Sequence, residues 1–116
     1  MKTLKFSYNW NHKLETDHFT TIRLANPYFY QLGETYRIIE QRNKHELIDR
    51  GLGQIIELCA IKIDQLRPFM CYLDTGYSRS VTHEIIQKMY PGKDWTAQTL
   101  YYMLIKKVKG ALETID

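Results

Sequence analysis

The chain has 116 residues, a formal net charge of +3 with histidine counted neutral, 44% hydrophobic residues and 25% charged residues. That balance excludes a disordered chain and fits a single domain, residues 1–116, large enough to fold around one core without staples. So slight a basic excess also argues against tight non-specific duplex binding, and leaves a single nucleoside, a short RNA element or a small anion as ligand classes.

Along the chain, Leu4, Phe6, Tyr8 and Trp10 alternate with polar residues, and this period of two predicts a strand with those four on one face. Asn9, Asn11 and His12 mark a turn, and residues 13–18 are polar enough for a loop or a single helical turn. Phe19 to Leu24 is β-branched and aromatic and reads as a second strand, broken by Asn26-Pro27. Gly33-Glu34 turns the chain into a strand over Tyr36 to Gln41. Arg42 to Lys44 is a polar turn, and His45 to Ile48 is placed as a hairpin partner. Gly51 and Gly53 predict a turn or bulge before an apolar strand from Gln54 to Ile63, with Ile55, Glu57, Cys59, Ile61 and Ile63 on one face. Asp64 caps a short helix carrying Leu66, with Pro68 at its start or end. Asp74-Thr75-Gly76-Tyr77 reads as a turn. Ser78 or Ser80 then caps a helix over Val81 to Tyr90, with Val81, Ile85, Ile86, Met89 and Tyr90 as its apolar stripe and His83 facing out. Pro91-Gly92 stops it. Thr99 to Val108 reads as a closing strand, with helix the competing state, and residues 109–116 are expected to fray.

Cys59 and Cys71 are the only cysteines, in no CxxC and with no histidine at zinc spacing; they are expected to be buried, reduced thiols in a cytoplasmic protein without a metal or other cofactor. No apolar run approaches the ~18 residues of a membrane span, and the N-terminus lacks the apolar run of a signal peptide. Lys106, Lys107 and Lys109 form a small basic run, read as a solvated edge or an extension of a phosphate-contacting surface. Strands outnumber helices and are joined mostly by short turns. The expected fold is therefore α+β: a small, mostly antiparallel sheet curled into a barrel, with two or so helices packed on one side.

Several of these pieces, taken in order, resemble the ASCH family of the PUA-like superfamily. They are Thr21-Ile22-Arg23 in the second strand, Gly33-Glu34 opening the next, and Gly53 leading Ile55-Ile56-Glu57-Leu58. Two more are Asp74-Thr75-Gly76-Tyr77 before the helix ending Met89-Tyr90-Pro91-Gly92, and the closing strand Leu100 to Ile105. The resemblance covers nearly the whole chain and rests on order and spacing. It implies a PUA-like barrel that binds RNA or a nucleotide in a cleft between barrel and helices. One branch of the family deacylates N4-acetylcytidine with a lysine, a threonine three residues on, and a carboxylate before the late helix. Carried onto this chain, the threonine falls on Thr21, the arginine of the same strand on Arg23 and the carboxylate on Asp74, while the lysine position holds His18. A histidine offers a general base there in place of a cation, and aspartate for glutamate shortens the reach by one methylene.

Thr21 and Arg23 lie two apart, so a strand places them on one face, and the planar guanidinium suits a phosphate, a carboxylate or a base edge. His18, Thr21 and Asp74 are thus the catalytic candidates, and Arg23, Tyr8, Trp10 and Tyr77 the ligand-binding ones; Trp95 is a further stacking candidate. The leading expectation is an RNA- or nucleotide-binding module. The alternatives are an amidohydrolase acting on a modified nucleoside and a protein-interaction domain without a small ligand.

Overall fold

The computed structural model describes residues 1–108, so the expected frayed end and Lys109 of the basic run lie outside the described residues. Among the described residues there are five strands: β1 (Thr3–Phe6), β2 (His18–Leu24), β3 (Thr35–Gln41), β4 (Leu47–Ile61) and β5 (Leu100–Val108). Two α-helices, α1 (Pro68–Thr75) and α2 (Arg79–Met89), and short 3-10 segments at Trp10–Glu15 and Ile63–Gln65 complete the described part. The strands form one mixed sheet in the order β1-β3-β4-β5-β2, with β1 parallel to β3 and every other pairing antiparallel.

The sheet is open where a closed barrel was expected. β1 and β2 are its edges, and no backbone ladder joins them. Side chains link the two edges instead. Arg23 Nη2 donates to the Lys5 carbonyl at 2.8 Å, and Phe6 meets Phe19 edge to face with centroids 5.7 Å apart. Leu4, Phe6, Tyr36, Ile38, Ile55, Met103 and Ile105 are buried in one cluster. A second cluster, with Ile22, Leu66, Cys71, Ile86 and Leu100, packs the helices onto the sheet.

The first strand ends at Phe6, so Tyr8 and Trp10 do not continue its face; the chain turns there into the 3-10 segment. The hairpin partner, the glycine turn and the apolar strand expected between His45 and Ile63 are one 15-residue strand, β4. Gly51, at φ 88°, absorbs the irregularity as a bulge: Arg37 faces Leu52 and Ile39 faces Asp49, so Arg50 and Gly51 together oppose Ile38. A second bulge at Ile56, between the pairs Ile55–Ile105 and Glu57–Leu104, advances the side-chain alternation by one. Glu57 and Cys59 therefore face solvent and Leu58 packs toward the core, so the single shared face expected from Ile55 to Ile63 does not exist. Cys59 is exposed, contrary to expectation, whereas Cys71 is buried; neither forms a disulfide.

Asp74 and Thr75, expected in a turn, are the last residues of α1. Pro68 opens that helix, where its missing N–H costs nothing, and Gly76 at φ 79° ends it. Ser78 caps α2, its hydroxyl accepting from Val81 N. The inward face of α2 is Thr82, His83 and Ile86; Val81 and Met89 of the expected stripe are exposed, and His83 is half-buried. No described helix is long and apolar enough to cross a membrane.

On the sheet, Glu40 is only 4% exposed and receives Arg50 Nη2 at 2.7 Å, Arg50 Nε at 3.0 Å and Arg42 Nε at 3.0 Å. Burial pushes its pKa up, but the two guanidiniums outweigh that and hold it below the usual carboxylate range. Arg50→Ala should cost about 2 kcal/mol, less than the ~3–5 kcal/mol of a fully orphaned buried charge because Arg42 remains. Urea unfolding checks this. A lowered folded pKa stabilises above the unfolded value of 4.5 and is lost as pH falls through the folded one, so the gap between wild type and variant should close in acid.

Candidate functional site

The site is assembled where the 3-10 segment and the end of α1 meet β2. Asn11 and His12 adopt positive φ of 61° and 51°, which kinks the segment. Asparagine tolerates that conformation, and Asn11 Nδ2 donates to the Tyr72 carbonyl in the last turn of α1 at 2.8 Å. Asn9 Oδ1 accepts from Leu14 N at 2.9 Å, and Thr16 Oγ1 donates to the Lys13 carbonyl at 2.6 Å. These bonds fix the backbone around Lys13 and turn its side chain inward.

Lys13 Nζ donates to Asp74 Oδ1 at 3.1 Å, and Thr20 Oγ1 donates to the same oxygen at 3.0 Å. Both charged side chains are almost fully buried, 6% exposed for Lys13 and 5% for Asp74. Burial lowers the Lys13 pKa from the usual lysine value; the attraction of Asp74 opposes this and Arg23 adds to it. The amine is therefore easier to deprotonate than a surface lysine while still held against a carboxylate.

Thr21 and Arg23 share the face of β2 that lines this cleft, as their spacing predicted. Arg23 Nε donates to Thr21 Oγ1 at 3.1 Å, and the guanidinium carbon lies 4.6 Å from the Phe6 ring centroid. With the bond to the Lys5 carbonyl, three contacts orient Arg23. The Thr21 oxygen accepts from a cation, which leaves its proton free to donate into the cleft. The cavity is about 140 Å³, and its lining includes Lys5, Lys13, Thr21, Arg23, Asp74 and Tyr90. Burial pushes the Tyr90 pKa up, so its hydroxyl remains a donor at neutral pH. Tyr8 and Trp10 also line the cleft, stacked on each other with centroids 4.9 Å apart and planes 13° apart.

Of the expected site residues, Thr21, Arg23, Asp74, Tyr8 and Trp10 come together in this cleft. His18 does not. It is exposed at the start of β2, on the strand face opposite Thr21, and it lines two other hollows, one of which shares Lys13 with the cleft. Tyr77 lines an adjoining groove, and Trp95 packs against the second apolar cluster. Lys13 is the cleft residue that sequence reasoning missed; Thr20, which donates to Asp74, shares the other face of β2 with His18 and lines the neighbouring hollow. Lys13 sits in a polar segment with no motif around it, and its burial depends on the kink and on Asn11 reaching α1. Among the described residues, no group of three or more histidine, cysteine or acidic side chains is placed to hold a metal ion.

No family model, curated protein or solved structure matches this chain. The functional reading therefore rests on the cleft itself.

Proposed function

We propose that the domain is a PUA-like module of the ASCH type that binds a nucleoside or nucleotide in the cleft between β2 and the helices. The observation that carries the reading is the convergence of Arg23, Thr21, Lys13 and Asp74 on one small hollow walled by Tyr8 and Trp10. Arg23 supplies a fixed pair of donors for a base carbonyl or a phosphate. Thr21 and Tyr90 donate further hydrogen bonds, and Asp74 accepts from an exocyclic amine. The charged and polar groups that converge in one hollow favour a small polar ligand over the interaction-domain alternative.

A second reading, hydrolysis of an exocyclic amide such as that of N4-acetylcytidine, is favoured by the Lys13–Asp74 pair. The amine that the family resemblance assigns to position 18 is supplied here from position 13, so Lys13 takes the role expected of His18. In its neutral form, Lys13 takes the Thr21 proton as that oxygen attacks the acetyl carbon; the ammonium, held by Asp74, then gives the proton to the exocyclic nitrogen as the C–N bond breaks, and water hydrolyses the acetyl–threonine ester. Arg23 stabilises charge developing on the Thr21 oxygen.

Calorimetric titration with cytidine, cytidine 5′-monophosphate and N4-acetylcytidine tests the binding. Micromolar-range affinity is expected for at least one, reduced about 10- to 100-fold in Arg23→Ala if a charge-assisted bond worth ~1.5–3 kcal/mol is lost. Absence of binding at high micromolar concentration removes the reading. Chromatography of N4-acetylcytidine incubations tests the chemistry: cytidine released by wild type and by Thr21→Ser, but not by Thr21→Ala, is expected for a threonine nucleophile.

A further inference from the structure

Next to the cleft, α2 turns an apolar strip outward that nothing in the described chain covers. Val81, Ile85 and Met89 recur every four residues along it, and Tyr77 and Lys88 border it. Val81 is 39% exposed, Tyr77 47% and Met89 46%, a dense run of large apolar side chains for one surface of a small domain. The groove they line, about 390 Å³, is continuous with the cleft, because Tyr8, Trp10, Ile85 and Met89 line both.

We propose that this groove is a second nucleotide subsite, in which the base next to the one held in the cleft stacks on the Tyr8–Trp10 ring pair. The ligand is then a single-stranded oligonucleotide of two or more residues. This rests on the cleft reading and extends it. Three observations select such an occupant. Tyr8 and Trp10 stack on each other, which fixes both rings, and Tyr8, 56% exposed, keeps ring surface open to the π-face of a base whatever its sequence. The charges lining the cleft and groove are Lys5, Lys13, Arg23 and Lys88 against Asp74 alone, and Asp74 is already paired with Lys13. A phosphodiester joining the two bases therefore meets a cationic border, and no carboxylate lines the groove itself. Continuity with the cleft places the second base within the reach of one linkage from the first.

Calorimetry with cytidine 5′-monophosphate and with the dinucleotides CpA and ApC tests this on the full chain. At least one dinucleotide should bind about 5- to 100-fold more tightly than the mononucleotide, the range for stacking one more base on an aromatic side chain. Val81→Glu puts a carboxylate in the groove from a residue that does not line the cleft. It should abolish the dinucleotide gain and leave mononucleotide affinity within about twofold. Equal affinity for mono- and dinucleotides overturns the second subsite while the cleft reading stands. A gain that survives Val81→Glu also overturns it, since the extra base then lies elsewhere. If neither ligand binds, the cleft reading fails and the subsite with it. A wild-type dimer in sedimentation that Val81→Glu dissociates assigns the groove to a second copy of the chain and overturns the proposal.

Discussion

Lys13→Met should lower folding stability by about 3–5 kcal/mol, because it leaves the Asp74 carboxylate buried without its cation. Against a total of ~5–15 kcal/mol for a domain, that is enough to bring unfolding within reach of mild denaturant. The loss belongs to the orphaned charge more than to the missing bond. The double variant Lys13→Met/Asp74→Asn should therefore recover a large part of it, with the Thr20 hydroxyl still able to donate to the asparagine oxygen. Urea midpoints of the two variants and wild type check this, and equal stability of the single and double variants would contradict it. The pair also sets a pH dependence. Since burial lowers the folded pKa of Lys13 below the ordinary lysine value of 10.5, the unfolded chain binds more protons between the two values. Wild-type stability should therefore rise with pH across that window relative to Lys13→Met, which has no such group.

Gly53→Val should be comparably disruptive through packing alone. A Cβ at this position would lie 2.6 Å from Ile105 Cγ2 and 3.1 Å from Ile38 Cδ1, both in fully buried side chains. Ile38 Cδ1 can swing aside, but Ile105 Cγ2 branches from its Cβ and stays in the way, so β4 and β5 are pushed apart. Overpacking typically costs ~1–3 kcal/mol, and the two further methyls of valine place this change at or above the upper end. Gly51→Ala provides the contrast. Nothing lies within 4 Å of a Cβ there, and only the strained φ of 88° is charged against it, about 1–2 kcal/mol. Thermal unfolding should rank Gly53→Val below Gly51→Ala.

The parts of the fold written into local pattern were legible. Phe19 to Leu24 and Tyr36 to Gln41 are rich in β-branched and aromatic residues, and Thr99 to Val108, where helix competed, is rich in tyrosine and aliphatic residues; each is a strand within a residue or two. The end of α2 was legible from Pro91-Gly92, and Ser78, one of two serines read as its cap, is the one that caps it. What failed depended on contacts distant in sequence. Bulges at Gly51 and Ile56 are set by pairing with β3 and β5, and they alone decide that Cys59 is exposed. The apolar strip of α2 looks like a core face, yet a threonine and a histidine face inward and Val81 and Met89 face out. Thr82 is drawn in by its hydroxyl contact with Thr75 Oγ1 at 2.9 Å.

The candidate site divides along the same line. Thr21 and Arg23 followed from the period of a strand, and Asp74 was singled out although its helix was not. Lys13 was illegible because nothing near it in sequence marks it. Its position is made by a backbone kink and by partners 61 residues away. His18 was chosen for its distance from Thr21 along the chain, but side chains an odd number of residues apart on a strand face opposite ways.

Amide chemical-shift mapping during titration with cytidine 5′-monophosphate tests the central claim most directly. The largest perturbations should fall on residues around Lys5 to Lys13, Thr21 to Arg23, Asp74 and Thr75, and the Ile85 to Tyr90 end of α2. Saturable shifts confined to another surface, such as the outer face of β4 around Glu57 and Cys59, would contradict it.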